Sequence, residues 1–293
     1  MHPLIYCYKA TRRNVLYSLL GAALLAALPI SAGADVQPKK WRALPWHLVD
    51  LDYRVPKAER FQSVEIDMEL TGKVKEKTYL FLSPLWGRFK DKGFYFGFQT
   101  DLFDPAKKRL IGKGIVFSRW GLGRLSDARK PPSGWGYIGE AATSGEGDFV
   151  SVRRPFKWGE GRYTFIMRKR RPSTSVKGNW MDLLIFEHRT GKWIDAGGLK
   201  FFDDATRLRS RLVSFVEIYA AFKKNSKWGF PTVIPKLTVT MGTPLVNGTF
   251  EPISIRPKFN PKIPRLVTLK DLLGETRIRL GDIPVPASPA AAR

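Results

Sequence analysis

The chain has 293 residues, and a chain of this size can bury a sizeable hydrophobic core. Its single cysteine, Cys7, excludes an internal disulfide. Only His47 and His188 follow the first ten residues, so the sequence offers little material for a histidine zinc site or for imidazole catalysis.

The first 34 residues have the layout of an export signal. Lys9, Arg12 and Arg13 precede an apolar run over Val15–Ile30, and Ala32–Ala34 fits the small-residue site that a signal peptidase cuts. The paired arginines also resemble a twin-arginine signal, so both export routes stay open. An uncleaved membrane anchor is a third interpretation. The pattern predicts a periplasmic or secreted protein whose mature chain begins at residue 35.

The predicted mature chain is strongly basic. After residue 34 it has 47 basic and 26 acidic residues, a net charge of +21. Such a surface concentrates anions around it. The expected partners are an anionic polysaccharide or an anionic membrane surface, whereas export argues against nucleic acid.

Residues 35–251 predict a single β-domain. Val64–Leu70 alternates apolar and acidic side chains, the period-2 pattern of a half-buried strand. Further strands are predicted where aromatic and β-branched residues cluster between turn residues: Lys77–Leu82, Phe94–Thr100, Gly114–Trp120, Phe149–Val152, Tyr163–Arg168, Met181–His188, Lys192–Ala196 and Leu212–Ala221. No long helical periodicity accompanies them. The fold class is therefore all-β, a two-sheet β-sandwich of the jelly-roll, concanavalin A-like kind.

Residues 252–293 predict a proline-rich extension that packs on this domain. Seven prolines interrupt any long strand ladder there. Thr268–Gly274 fits a short helix with a threonine cap and a terminal glycine. We expect the end of the chain after Ile283 to be disordered.

Five short motifs are spread through the predicted domain: Tyr95–Gln99, Val116–Trp120, Gly145–Gly147, Trp158–Phe165 and Ser214–Glu217. Their order and spacing resemble a family of secreted proteins known as domain-of-unknown-function family three-four-seven-two, over residues 45–230. The resemblance implies a lectin-like sandwich in a carbohydrate context and supplies no catalytic residue.

Glu217 interrupts an apolar segment, and we expect it either to be buried with an arginine partner or to be functional.

Glu65, Asp67 and Glu69 form the sharpest local match to an enzyme. They resemble the E-I-D-x-E strand of glycoside hydrolase family sixteen, which implies Glu65 as nucleophile, Asp67 as helper and Glu69 as acid/base. Alternation puts the three carboxylates on one face of a strand. In the alternative interpretation, a hairpin sets the lysines of Lys73–Lys77 opposite these acids as simple ion pairs.

Aromatic residues are candidates for sugar stacking, because a flat ring packs against the apolar face of a pyranose. Trp135 and Tyr137 lie in Gly134–Gly139, which spells the G-x-G-x-x-G pattern without the strand-then-helix context of a dinucleotide site. We interpret this segment as a glycine-rich loop. Trp120 is the third candidate ring. In the alternative interpretation, Trp135 and Tyr137 are core residues of the loop.

Acidic residues in the same region suggest a calcium-binding loop. Glu146 and Asp148 stand near Glu140, and oxygen-rich loops of this kind hold Ca²⁺ in many proteins. The spacing matches no defined calcium loop, so a solvated loop is the alternative. No other cofactor is predicted.

Arginines are the candidate anion-binding residues. Arg207, Arg209 and Arg211 are predicted to share one face of a strand, and Arg168–Arg171 forms a second cluster. Guanidinium groups bind carboxylate, sulfate or phosphate through paired hydrogen bonds. The leading hypothesis is an exported lectin-like protein that binds an acidic cell-envelope or extracellular polysaccharide. A glycoside hydrolase or polysaccharide lyase, and a basic structural protein of the envelope, are the alternatives.

Overall fold

The structure is a computed structural model. It describes residues 47–58, 60–141, 147–171, 179–201, 207–218, 233–249, 251–259, 267–272, 275–281 and 283–284. The predicted export signal lies outside these residues. Within the described ranges, no helix has the length and apolar character that crossing a bilayer requires.

β-Strands are the main secondary structure of the described chain, and its one helical segment is a 3₁₀ turn at Leu125–Asp127. The strands are β1 His47–Arg54, β2 Ser63–Thr71, β3 Leu80–Phe89, β4 Lys92–Gln99, β5 Phe103–Asp104, β6 Arg109–Leu110, β7 Gly114–Trp120, β8 Ala128–Arg129, β9 Trp135–Ala141, β10 Gly147–Pro155, β11 Gly161–Lys169, β12 Asn179–Glu187, β13 Lys192–Phe201, β14 Arg211–Ile218, β15 Val233–Ile234, β16 Leu237–Gly242, β17 Leu245–Val246, β18 Ser254–Phe259, β19 Val267–Leu272, β20 Glu275–Leu280 and β21 Ile283–Pro284.

Two antiparallel sheets contain most of these strands. Sheet A has the order β18-β1-β14-β3-β4-β7-β10-β9. Sheet B has the order β19-β20-β16-β2-β11-β12-β13-β8, and β17 also pairs with β2. The all-β, two-sheet sandwich predicted from the sequence is confirmed.

Alternation along each strand explains which residues form the core. In β2, Val64, Ile66 and Met68 are buried, whereas Glu65 and Glu69 are exposed. Inward side chains of both sheets meet in one apolar layer. Aromatic rings fill much of it: Phe98 stacks on Trp158 with centroids 5.4 Å apart. Such large buried rings supply much of the stability that a disulfide-free domain needs.

One buried arginine crosses this core. Arg119 of β7 is fully buried, and its Nε donates a hydrogen bond to the Lys200 carbonyl of β13 at 2.7 Å. Its Nη2 pairs with Asp127 at 3.0 Å. A buried charge needs such partners, so this side chain ties sheet A to sheet B.

Four local predictions are wrong. The lysines of Lys73–Lys77 do not pair with the acids of β2, because β11, β16 and β17 are its neighbours. The segment predicted as a helix at Thr268–Gly274 is strand over its described part, since β19 pairs with β20. Gly134–Gly139, interpreted as a loop, lies mostly in edge strand β9. Arg207 and Arg209 precede β14, which begins only at Arg211.

The proline-rich C-terminal segment belongs to both sheets. β18 is an edge strand of sheet A beside β1, and β20 pairs with β16 in sheet B. Pro257 lies within β18, where proline is tolerated because an edge strand needs hydrogen bonds on one side only.

Candidate ligand-binding groove

The outward face of sheet A carries a groove of about 650 Å³, which we call the sheet A groove. It exists because antiparallel register brings outward side chains of distant chain segments into rows. Its lining residues come from β1, β3, β4, β7, β10 and β14: His47, Asp50, Phe81, Trp86, Arg88, Tyr95, Gln99, Trp120, Phe149, Arg153, Arg211, Val213, Phe215 and Glu217.

Three half-buried rings form an aromatic cluster in this groove. Trp86 and Tyr95 are cross-strand partners on β3 and β4. Trp120 packs against both, with ring centroids 5.9 Å from Trp86 and 6.1 Å from Tyr95. The Trp120 ring packs directly over Gly93, a position that only glycine allows because a Cβ there would lie 2.0 Å from the ring. The cluster leaves aromatic surface facing the groove.

Two guanidinium groups flank the central indole. Arg88 lies 5.3 Å and Arg211 lies 5.8 Å from the Trp86 ring centroid. Both distances fall within the range of a cation–π contact. Arg88 has no carboxylate partner among the described residues. The groove therefore offers a ring and positive charge side by side.

Arg211 is held in place from the neighbouring strands. Its Nε donates to both carboxylate oxygens of Asp52, at 2.9 and 3.1 Å. Lys258 of β18 donates to the same carboxylate at 2.6 Å. Burial alone would raise the pKa of Asp52, but the hydrogen bonds and charges of Arg211 and Lys258 outweigh it and hold that pKa below its ordinary value.

More arginines gather where Arg88 and Arg211 lie. The Arg209 amide donates to the Arg88 carbonyl, and Arg54 of β1 is in register with Arg211. Arg207 and Arg209 are exposed on either side of the buried Leu208. We call this group, Arg54, Arg88, Arg207, Arg209 and Arg211, the arginine end of sheet A.

Arg153 forms the far wall of the groove, on β10. Its guanidinium lies 4.4 Å from the Tyr137 ring centroid and donates to the Ser151 hydroxyl at 3.2 Å. Another donation goes to the Phe103 carbonyl at 3.2 Å. These contacts fix the side chain, so its charge is preorganised.

The opposite end of β14 carries acidic and neutral polar groups. His47 donates through Nδ1 to the Asp50 carboxylate, at 2.5 Å from Oδ1, and its ring stacks on Phe215 with centroids 4.4 Å apart. Glu217 is in register with His47 and is only 7% exposed. Gln99 lies two strands away, and Phe81 separates it from Glu217. We call His47, Asp50 and Glu217 the acidic end.

Three buried polar atoms near the aromatic cluster lack a hydrogen-bond partner among the described residues. They are Arg88 Nε, Ser118 Oγ and Trp120 Nε1, and a fourth such atom, Trp135 Nε1, lies on edge strand β9. Ser118 is in register with Tyr95 and so lies on the floor between the rings. Buried polar groups are normally satisfied, so their concentration around one groove singles it out.

The structure distributes the ligand-binding residues predicted from the sequence over this face. Trp120 and Arg211 line the groove. Arg207 and Arg209 stand at its arginine end. Trp135 and Tyr137 lie on edge strand β9, where Tyr137 contacts Arg153 rather than the central cluster.

Sequence reasoning missed Trp86, Tyr95 and Arg88. Trp86 lies beyond the predicted end of its strand at Leu82, because β3 runs on to Phe89. Tyr95 was part of a motif and drew no functional interpretation. A period-2 continuation through Pro84–Arg88 was the available signal, and the proline hid it.

The three candidate catalytic acids lie on the outward face of sheet B, away from the groove. Arg162 and Thr164 of β11 both hydrogen-bond to Asp67, and Thr164 also contacts His188 Nε2 at 2.8 Å. Partial desolvation of its carboxyl group raises the pKa of Glu65, although the side chain is exposed, and the charge of Asp67 raises that pKa further. Asp67 is therefore engaged by a cation and a hydroxyl.

Of the calcium candidates, Asp148 lies in β10 and Glu146 falls outside the described residues. No group of three or more His, Cys, Asp or Glu side chains within the described ranges is placed to hold a metal ion.

Comparison with known proteins adds a distant likeness in structure. No family model and no curated protein matches the chain. Scytalido-glutamic peptidase with a transition state analog inhibitor is similar at 9% identity, with a TM-score of 0.45, over 80% of this chain and 98% of that one. The same peptidase with a peptide-based transition state analog is similar at 8% identity, with a TM-score of 0.42, over 79% of this chain and 98% of that one. SCP-B, a peptidase of the Eqolisin family in a complex with a tripeptide, is similar at 8% identity, with a TM-score of 0.40, over 79% of this chain and 98% of that one.

Proposed function

We propose that the protein binds an acidic polysaccharide in the sheet A groove. The observation that carries this proposal is Trp86, an indole that faces the groove with Arg88 and Arg211 on its flanks. A pyranose can stack on the ring while its carboxylate or sulfate accepts hydrogen bonds from a guanidinium. A neutral sugar would use only the first of these contacts.

The wider charge of the molecule supports the same ligand class. The arginine end extends the cationic surface beyond the groove itself, and the predicted mature chain carries +21. Such a field raises the local concentration and the association rate of a polyanion. The predicted export also agrees with a ligand among envelope or extracellular polysaccharides.

Binding of a uronic acid oligosaccharide to matched variants tests the proposal. We expect Trp86→Ala, which removes the stacking surface, and Arg88→Gln, which removes a charge-assisted contact, each to weaken binding in calorimetric titration by about 10-fold, or roughly 1.5 kcal/mol. The controls are Trp193→Ala and Arg279→Gln, which remove an exposed tryptophan and an exposed arginine from sheet B.

Three results would contradict the proposal. The first is no binding of acidic oligosaccharide by the wild-type protein at physiological salt. The second is equal weakening in the control variants, which would mean that total charge alone drives binding. The third is tight binding to anionic lipid vesicles without glycan binding, which would favour a basic structural protein of the envelope.

A glycoside hydrolase centred on Glu65 is the second candidate function. The shared outward face of Glu65, Asp67 and Glu69 on β2 favours it, because a retaining hydrolase needs a nucleophile and an acid/base carboxyl close together on one face. Oligosaccharide release from glucans or uronans by the wild type, lost in Glu65→Gln, would establish it. Release that persists in this variant would exclude Glu65 as the catalytic group.

A further inference from the structure

We infer that the sheet A groove recognises a glycan in which consecutive sugars are each anionic, and that this glycan lies across the strands. The inference rests on the proposed function and names its ligand more closely. It follows from the arrangement of the arginine end, whose cations lie on neighbouring strands rather than along one strand.

Three guanidinium groups occupy three adjacent strands of sheet A. Arg54 lies on β1, Arg211 on β14 and Arg88 on β3, and these strands are neighbours in that order. Arg54 is in register with Arg211. Arg211 and Arg88 flank the same indole, Trp86. We call Arg54, Arg211 and Arg88 the arginine row, and it crosses the strands beside the Trp86 ring.

The groove face of β14 shows why a ligand laid along the strand would not meet this charge. After Arg211, the next side chains of β14 that line the groove are Val213 and Phe215, which are apolar. Cationic groups therefore do not repeat along the strand. They repeat from one strand to the next, at the spacing of about 4.8 Å between neighbouring strands.

The arginine row stays positive after its acidic partner is counted. Asp52 bonds both Arg211 and Lys258, so its single charge is shared by two cations. Within the described residues, Arg54 and Arg88 have no carboxylate partner. The bonds from Arg211 to Asp52 use Nε, which leaves the two terminal nitrogens of that guanidinium for a ligand anion.

The spacing of the row sets the charge spacing of the ligand. In an extended polyuronate, one sugar separates successive carboxylates, a distance close to the spacing of the strands. Such a chain engages neighbouring guanidinium groups at once, each through charge-assisted hydrogen bonds. A neutral sugar between two uronic acids doubles the separation, so the second carboxylate misses the adjacent strand.

A matched pair of ligands tests this charge spacing. One has four consecutive galacturonic acids, and the other alternates four glucuronic acids with N-acetylglucosamine, so both carry four carboxylates. We expect the wild type to bind the consecutive form about tenfold more tightly in calorimetric titration at physiological salt. Attraction by total charge alone would give the two ligands similar affinities.

Variants assign the preference to the arginine row. Arg54 is exposed, so Arg54→Gln should fold like the wild type, and it should lower the preference for the consecutive form to about threefold or less. Arg279→Gln removes the same charge from an exposed position of sheet B and should keep the full preference. Trp86→Ala should weaken both ligands by the same factor, because both stack on the ring.

The outcomes separate this inference from the proposed function. Equal affinity for the two ligands, with binding still weakened in Trp86→Ala, would overturn the charge spacing alone. A preference that survives in full in Arg54→Gln would overturn it too. If neither ligand binds the wild type, the proposed function fails as well.

Discussion

Replacing Arg119 with methionine tests how the two sheets are joined. Methionine has a similar length and keeps much of the packing, but it removes donors to the Lys200 carbonyl, the Leu122 carbonyl and the Asp127 carboxylate. Losing the partner of a partly buried charge costs about 2–3 kcal/mol, and an unsatisfied carbonyl costs about 1 kcal/mol more. Burial lowers the pKa of the Arg119 guanidinium, whereas the negative charge of Asp127 raises it.

We therefore expect Arg119→Met to lower the free energy of unfolding by about 3–4 kcal/mol, measured by urea denaturation with tryptophan fluorescence. Adding Asp127→Asn should restore about 1–2 kcal/mol, because the remaining charge is then gone. Arg124→Met, an exposed change in the same loop, should stay within about 0.5 kcal/mol of the wild type. A loss below about 1 kcal/mol in Arg119→Met would refute the reasoning.

Three further changes probe charge and shape. Asp52→Asn should lower the free energy of unfolding by about 1–3 kcal/mol at pH 7, measured by urea denaturation. The lowered pKa of Asp52 stabilises the folded state above about pH 4, and this contribution fades at lower pH. An equal loss of stability at pH 2 would contradict this reasoning. Glu65→Gln should raise the thermal midpoint at pH 7 more than at pH 4, because a raised pKa penalises the ionised form only above it; a lowered midpoint at pH 7 would speak against that. Gly97→Ala should lower the free energy of unfolding by more than about 3 kcal/mol, because the added Cβ would lie 2.0 Å from the Leu82 carbonyl oxygen. A variant that expresses normally and melts at the wild-type temperature would contradict this prediction.

Strands with one wet face were the easiest to predict. In β2 every second residue is acidic or exposed, and the sequence pattern and the structure agree residue by residue. β14 was also predicted, although its burial shows no alternation. Its side chains are buried on both faces, in the floor of the groove on one side and in the core on the other. Aromatic and β-branched content identified this strand.

The errors arose where long-range pairing overrides local preference. Thr268–Leu272 has helix-like end signals, but its backbone pairs with β20. The glycines of β9 suggested a loop, but one of them has a packing reason, because a Cβ at Gly139 would lie 2.2 Å from the Phe149 ring on β10. Neither pairing can be read from local sequence, since strand partners in this fold are far apart along the chain.

The groove could be predicted only in fragments for the same reason. Trp120 belongs to a short aromatic motif and Arg211 to a cluster of arginines, and their meeting beside Trp86 depends on the strand order β14-β3-β4-β7. Alternation tells which face a side chain occupies but not which strand lies next to it. The burial of Arg119 was equally hidden, because an arginine in an apolar strand has no sequence signal for a partner on the other sheet.

The hydrogen bond from Lys258 to Asp52 gives the C-terminal segment a role at the groove, although it lies more than 200 residues away from it in the chain. Asp52 anchors Arg211, which lies over Trp86, so strand β18 helps to set the position of a guanidinium that faces the sheet A groove. A chain shortened after Val246 loses β18, and Asp52 then keeps Arg211 without the second cation, Lys258. The wall of the groove is therefore completed only when β18 pairs with β1, a contact between segments that are far apart in the chain.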